Sequence, residues 1–129
     1  MEVLVAVDGS DNSDRALRRA VAYAEAFDAT VDVVHVSDGE TSATDDVLER
    51  AEATLAELDA EADVSLDVIE MGVPTDREVA KELLALVERE GYDHVFMGHH
   101  GVGMVERTIL GSAAEGVVRN TTVPVTVVP

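Results

Sequence analysis

The chain alternates short apolar runs with segments in which apolar residues recur at helical spacing. Five runs rich in valine predict strands at residues 2–7, 30–36, 64–70, 94–97 and 124–128. Because these runs are almost continuously apolar, we expect helices to cover both faces of the sheet that they form. The order βαβαβαβαβ predicts an open, five-stranded, mainly parallel α/β sheet with helices on both faces, in a single domain spanning residues 1–129.

The segments between the strands carry apolar stripes at i, i+3, i+4 and i+7, which predict amphipathic helices. The first stripe comprises Leu17, Ala20, Val21 and Ala24, the second Val47, Leu48, Ala51, Leu55 and Leu58, and the third Val79, Leu83, Leu86 and Val87. Thr75 and Glu78 have the spacing of a capping box at the start of the third helix, and Gly91 lies just beyond its last turn. Ser112 and Glu115 repeat that spacing, so a shorter fourth helix is expected to begin near Ser112, with this residue as its N-cap.

The net charge excludes several classes of partner. The 129 residues include 27 Asp and Glu against 9 Lys and Arg, which gives a formal net charge of −18. Such an excess repels the phosphates of nucleic acids and the surfaces of anionic membranes, so we expect neither as a partner. The carboxylates are spread along the predicted helices instead of forming a tail, which favours a halophilic surface adapted to molar salt, where the Debye length is about 3 Å.

The sequence shows no features of secreted or membrane-spanning proteins. No apolar run approaches the length of about 18 residues that a membrane-spanning helix requires. Residues 1–7 do not resemble a signal peptide, and the absence of cysteine fits a reducing compartment. We therefore expect a soluble cytoplasmic protein.

The segment at residues 97–112, MGHHGVGMVERTILGS, holds four of the nine glycines and connects the fourth predicted strand to the fourth helix. In an open parallel sheet, ligands bind beyond the carboxyl ends of the strands, which is where this segment begins. Gly98 and Gly101 permit a positive φ, so that successive N–H groups can form an anion-binding nest. Gly111 removes a side chain where the free N–H groups of the helix point outward. The segment therefore predicts a phosphate-binding loop.

The spacing of these glycines differs from that of the common phosphate loops. The segment lacks the lysine of a P-loop and the third glycine of the dinucleotide-binding fingerprint. Its pattern Gly98-x2-Gly101-x9-Gly111-Ser112 resembles the nucleotide motif of the universal stress protein family. The resemblance extends along the chain through VLVAVDGSDNSDRAL at residues 3–17, VVHVSD at 33–38, GVPTDREV at 72–79 and VPVTVV at 123–128.

The resemblance implies a UspA-like fold with the strand order 3-2-1-4-5, and it implies ATP, or another adenine nucleotide, and Mg²⁺ as ligands. In ATP-binding members, residues of the first two strands hold the adenine, and the ribose and phosphates lie over the glycine loop. The first-strand carboxylate, here Asp8, faces the metal ion. The matching cofactor-binding positions are Ala6, Val7, Asp8, Val36, Met97, Gly98, His99, Gly101, Gly111, Ser112 and Ala113. His99 occupies a place where the family commonly has serine.

Several of these residues also have simpler interpretations. Asp8 is suited to an Asx-turn, and Ser112 to a helix cap alone. Arg107 is either a solvated loop residue or part of a lid that reaches the triphosphate.

The four histidines invite a metal interpretation that the spacing does not favour. His99 and His100 are adjacent, and neighbouring loop residues rarely point at one ion. His35 and His94 lie within predicted strands, so we expect them to be structural. The sequence therefore predicts no zinc site.

Two functional hypotheses remain open from the sequence. The first is a binding module that uses ATP occupancy as a regulatory state, with at most slow hydrolysis, because no general base or positioned nucleophile is evident near the glycines. The second is a nucleotide-independent dimeric stress or adaptor protein with an empty pocket. An enzyme related to flavodoxin-like or adenine nucleotide hydrolase folds is a weaker third. The last strand would otherwise leave an exposed apolar edge, so a homodimer through the C-terminal strand is expected.

Overall fold

The computed structural model describes residues 1–69, 75–100 and 110–129, and within them it contains five strands and four helices in the predicted order. The strands are β1 (Glu2–Ala6), β2 (Thr30–Ser37), β3 (Asp63–Val68), β4 (His94–Gly98) and β5 (Val125–Val128). The helices are α1 (Asp11–Phe27), α2 (Ser42–Glu57), α3 (Asp76–Glu90) and α4 (Ser112–Asn120). The ends of the strands lie within two residues of the predicted ends, and Glu70 is outside the described residues.

The strands form one parallel sheet in the order β3-β2-β1-β4-β5, as expected. The register between the two central strands places Val5 beside Phe96 and Ala6 beside Met97. β2 lies on one side of β1 and β4 on the other, so the strand order reverses between β1 and β4. This reversal opens a crevice at the carboxyl ends of these two strands. β5 is the strand at one edge of the sheet.

The helices cover both faces of the sheet and create two apolar layers. Alternate residues of each strand point to opposite faces, so Val3 and Val5 contribute to one layer and Leu4 to the other. The layer under α1 and α2 includes Leu17, Ala20, Val33, Leu55 and Phe96, and the layer under α3 and α4 includes Val34, Leu83, Val87, Val95 and Val117. Among the described residues, no helix is both long and apolar enough to cross a membrane.

Side-chain caps set the starts of the first three helices. Ser10 and Thr75 each accept a hydrogen bond from the backbone N–H three residues on, and Thr41 and Thr44 form a reciprocal capping box. The predicted start of α3 at Thr75 is therefore confirmed, as is Gly91, which ends α3 with a φ of +74°. Because α1 and α3 follow β1 and β3 in the chain, their first turns lie at the carboxyl edge of the sheet.

Candidate functional site

A cavity of about 130 Å³ lies at the carboxyl ends of β1 and β4, where the strand order reverses. Nine of the eleven predicted site residues line it: Ala6, Val7, Asp8, Val36, Met97, Gly98, Gly111, Ser112 and Ala113. Gly101, the tenth, lies outside the described residues. His99, the eleventh, is not part of the cavity wall, and its neighbour His100 lines the cavity instead.

One wall of the cavity is apolar and rigidly packed. Val36 from β2, Met97 from β4 and Leu83 from α3 are 8%, 5% and 0% exposed, and each also belongs to the core under α3 and α4. Val79 of α3 and Ala114 of α4 complete this wall. Small-molecule sites are generally lined in this way, with a few polar groups fixing the orientation of the ligand. This wall therefore suits the apolar part of a ligand.

The first turn of α4 supplies backbone donors at the opposite side of the cavity. Ser112 was expected to cap this helix, but it is the first helical residue, and the N-cap is Gly111, with φ −62° and ψ 153°. Gly111 has no side chain, so no cap hydrogen bond reaches the first-turn N–H groups. The N–H groups of Ser112 and Ala113 therefore lie at the positive end of the helix, next to the cavity. Such a helix end favours an anion.

The glycines of this region do not form the predicted nest in the described part of the chain. Gly98 ends β4, and neither Gly98 nor Gly111 has a positive φ. The N–H of His99 donates to Val128 O at 2.7 Å, and the N–H of Gly111 donates to His99 O at 2.8 Å. The nest was predicted at Gly98 and Gly101. At Gly98 this prediction was wrong, because the residue continues β4 without a positive φ, and Gly101 lies outside the described residues.

Close approach of neighbouring segments explains the two glycines instead. A Cβ on Gly98 would lie 1.8 Å from Oδ1 of Asn12, and a Cβ on Gly111 would lie 2.9 Å from Cα of His100. Both distances are far below a van der Waals contact. The glycines therefore allow the chain on either side of residues 101–109 to pack against itself and against α1.

Asp8 forms the Asx-turn that was its simpler interpretation, and it also faces the cavity. Its Oδ1 accepts a hydrogen bond from the N–H of Ser10 at 2.9 Å and a second from the Ser10 hydroxyl. Within the described part of the chain, Oδ2 makes no hydrogen bond. The carboxylate is thus oriented by one oxygen while the other can take a cation.

The histidines have different environments. His94 stacks on Phe96 with ring centroids 4.5 Å apart, and its Nε2 lies 2.8 Å from Thr126 Oγ1. Burial lowers the pKa of His94, so it remains neutral and structural, as expected. Nδ1 of His35 lies 2.8 Å from Val7 O, and because a carbonyl only accepts, this nitrogen carries the proton. The interpretation of His35 as purely structural was incomplete, because His35 also lines the cavity.

Among the described residues, sequence reasoning missed seven that line the cavity: Ser13, His35, Asp76, Val79, Leu83, His100 and Ala114. Ser13 and Asp76 lie in the first turns of α1 and α3, and helices that follow a strand begin at its carboxyl end. That signal was present in the sequence. Whether His99 or His100 faces the cavity depends on how the chain turns after β4, which no local pattern encodes.

The sequence and fold of this chain are similar to those of proteins in one family. Residues 1–129 match the model of the universal stress protein family. A universal stress protein from Methanocaldococcus jannaschii is 30% identical over 143 residues, covering 98% of this chain and 81% of that protein. The solved structure of the universal stress protein from Archaeoglobus fulgidus in complex with dAMP has a TM-score of 0.77 at 23% identity, covering 100% of this chain and 98% of that one. A universal stress protein in complex with cAMP has a TM-score of 0.74 at 21% identity, with 100% and 97% covered.

Proposed function

We propose that this chain, which belongs to the universal stress protein family, is a regulatory module that binds ATP, or another adenine nucleotide, together with Mg²⁺. The main observation behind the proposal is that three kinds of group line one cavity: an apolar wall, a helix N-terminus without a side-chain cap, and a carboxylate. A nucleotide needs all three, for its base, its phosphates and its metal ion. The complexes of two structural neighbours with dAMP and cAMP support an adenine nucleotide as the ligand class.

We assign the adenine to the apolar wall between β1 and α3. Ala6, Val7 and Val36 belong to or follow the first two strands, and Met97 lies beside Ala6 in the sheet. Burial of a purine against these side chains is favourable because it removes apolar surface from water on both partners. The wall is preformed by the core, so little side-chain ordering opposes binding.

We assign the phosphates to the first turn of α4 and the metal ion to Asp8. The N–H groups of Ser112 and Ala113 are suitable donors to phosphate oxygens, with Gly111 allowing close approach. His100, which lines the cavity, replaces His99 in this assignment. Mg²⁺ in nucleotide sites usually combines one or two carboxylates with phosphate oxygens and water, and Asp8 supplies one such carboxylate. When bound, the ion would neutralise part of the negative charge of the phosphates, which the acidic protein itself cannot do.

We expect at most slow hydrolysis of a bound nucleotide. Asp8 is already hydrogen-bonded to Ser10, and in our assignment it holds the metal ion rather than activating water. Rapid hydrolysis requires a base within hydrogen-bonding reach of the attacking water. We therefore propose that occupancy, not turnover, carries the signal in a stress response, within the cytoplasm.

We further propose that the protein is a homodimer that pairs through β5. Pro124 O accepts from Val95 N, and Val128 O accepts from His99 N, so these residues face β4. Because backbone groups alternate along a strand, the N–H and C=O groups of Val125 and Val127 point toward the open edge of the sheet. An edge strand with outward N–H and C=O groups is a template for pairing with a second copy. A dimeric adaptor that binds no nucleotide is the second candidate function, and this edge is the observation that supports it.

Release of a nucleotide on denaturation separates the two candidates. Protein purified without added nucleotide is denatured, and the released small molecules are identified by chromatography and mass spectrometry. Refolded or nucleotide-free protein is then titrated with ATP in the presence and absence of Mg²⁺. Binding in either experiment supports the module, whereas a folded protein that carries and binds no adenine nucleotide supports the adaptor.

A further inference from the structure

Asn12 is a buried polar residue that lies between the two loops bordering the cavity. It belongs to the first turn of α1 and is only 2% exposed. Its Nδ2 donates to Ser10 Oγ at 3.0 Å and lies 3.5 Å from His100 Nδ1, and its Oδ1 accepts from the N–H of His100 at 3.3 Å. One amide group thus contacts both the loop after β1 and the segment after β4. Burying it is favourable only because these contacts are made.

The contacts of Asn12 extend to the proposed ligand groups on both sides. Toward β1, the hydroxyl of Ser10 that accepts from Asn12 donates in turn to Asp8 Oδ1. Toward α4, His100 follows His99, whose carbonyl accepts from the N–H of Gly111, the N-cap of α4. A continuous path of hydrogen bonds and one peptide unit therefore joins the carboxylate of Asp8 to the first turn of α4.

We propose that Asn12 is a positioning residue that fixes Asp8 relative to the first turn of α4, so that Mg²⁺ and the phosphates of a nucleotide bind cooperatively. The inference rests on the proposed function. It adds a residue that affects the binding of Mg²⁺ and nucleotide without contacting either of them. Mg²⁺ bridges a carboxylate and phosphate oxygens only if their separation suits its short, octahedral coordination distances. A residue that sets this separation therefore controls the coupling free energy between metal and nucleotide. This coupling is reciprocal, because each ligand changes the affinity for the other by the same factor.

The packing around Asn12 supports a fixed position rather than a mobile one. Gly98 leaves room for the amide, because any Cβ at that position would occupy the space of Asn12 Oδ1. The N–H of Ser13 also lies 3.0 Å from the place of that Cβ. The amide of Asn12 therefore fits closely between its own helix and the end of β4.

The test compares three ligands in the wild type, Asn12→Ala and Asn12→Leu. Leucine keeps the branched arrangement of heavy atoms of asparagine, although it is larger, and it removes the hydrogen bonds, so it fills the space that alanine would leave empty. Calorimetric titrations measure the affinities for adenosine, for ATP without Mg²⁺ and for ATP with Mg²⁺. We expect the affinity for adenosine to stay within about twofold, and the enhancement of ATP affinity by Mg²⁺ to fall about tenfold, as expected for the loss of one or two hydrogen bonds.

Thr54→Ala is the matched control. Thr54 is 5% exposed and donates to Asp14, but it belongs to α2 and does not line the cavity. This variant should lower stability without changing the Mg²⁺ enhancement, which separates positioning from general destabilisation. Wild-type enhancement in both Asn12 variants overturns the inference and leaves the proposed function standing. Failure of the wild-type protein to bind ATP overturns both.

Discussion

Gly98 and Asn12 share one small volume: a Cβ added to Gly98 would lie 1.8 Å from Oδ1 of Asn12. The glycine at the end of β4 is therefore required by a side chain that is 86 residues away in sequence rather than by its own backbone angles. This relationship makes the two residues energetically dependent on each other.

Gly98→Ala should destabilise the protein by about 1–3 kcal/mol, the usual cost of overpacking a well-packed site. In the double variant with Asn12→Ala, the destabilisation should be smaller than the sum of the two single effects by about 1 kcal/mol or more, because the clash with the Asn12 amide is gone. Denaturant unfolding measures all three. Gly39→Ala is the control, since a Cβ there meets nothing within 4 Å. If the destabilisation of the double variant equalled the sum of the two single effects, the conclusion that Gly98 and Asn12 share one volume would be wrong.

Asp8→Asn should keep the fold and lose the metal-dependent part of ATP binding. The amide oxygen still accepts from Ser10, so the Asx-turn remains, but the negative charge that attracts Mg²⁺ is removed. We expect ATP affinity in Mg²⁺ to fall about tenfold or more, and affinity without Mg²⁺ to stay equal or rise. Asp11→Asn, at an exposed carboxylate in the first turn of α1, should change neither. An Asp8→Asn protein with unchanged Mg²⁺ dependence would refute the metal assignment.

ATP affinity should survive or increase as KCl is raised. The protein carries a formal net charge of −18, so it repels an anionic nucleotide at long range, and salt screens that repulsion. Titrations with MgATP from about 0.1 M to about 2 M KCl, with circular dichroism to verify the fold, measure the trend; the Debye length shortens from about 10 Å over this range. A steep loss of affinity in folded protein would indicate a binding mode based on long-range attraction.

Val127→Pro should convert a β5-paired dimer to a monomer. Proline removes an N–H that faces the open edge of the sheet, whereas the contacts of Pro124 and Val128 with β4 remain. Lysine at this position would be a poorer test, because Val127 also packs on the core under α3 and α4. Val68→Pro is the matched control at the other edge, on β3. Sedimentation velocity gives the mass, and a dimeric Val127→Pro protein would exclude this interface.

Glu82 should make stability depend on pH in the acidic range. A hydrogen bond with Asp67, burial and the charge of Asp67 raise the pKa of Glu82 above its ordinary value of 4.5. The folded state then holds this proton more tightly than the unfolded state, so the contribution is full below the ordinary pKa and is lost as pH rises through the raised one. Glu82→Gln should therefore be more stable than the wild type at pH 7, by less than about 1 kcal/mol because water screens the pair.

The difference between Glu82→Gln and the wild type should shrink toward pH 4, where Glu82 is protonated in both states. Unfolding by urea at a series of pH values measures it. Glu88→Gln, on the exposed face of the same helix, serves as the control and should show no such trend. A pH-independent difference would mean that Asp67 and Glu82 do not interact.

The sequence contained most of the information on the fold. Continuous apolar runs such as residues 2–7 identify strands covered on both faces, and Thr75 and Gly91 mark the ends of α3 through local capping chemistry. The strand order came from the family resemblance. Ser112 was predicted as the N-cap of α4 because serine is a residue type that favours this position. The N-cap is Gly111 instead, which packs closely against His99 and His100.

The composition of the site was easier to predict than its contacts. Asp8, Val36 and Met97 were assigned from the family resemblance, and they line the cavity because residues at the carboxyl ends of β1, β2 and β4 meet there in a fold of this order. The function of Gly98 was misjudged because the volume that it leaves belongs to Asn12 on another element. His99 was assigned because it occupies the place where the family commonly has serine. His100 lines the cavity instead, because side-chain direction after a strand depends on tertiary contacts, here with Asn12 and Val128.

The backbone of His99 has a consequence for communication between subunits and ligand. Its N–H is bonded to Val128 of the edge strand, and its C=O is bonded to Gly111, where α4 begins. If a second subunit and a nucleotide bind where we propose, each perturbs a neighbour of this same residue. Dimerisation and nucleotide binding would then act on the same peptide segment, so the two events could influence each other without any movement between domains.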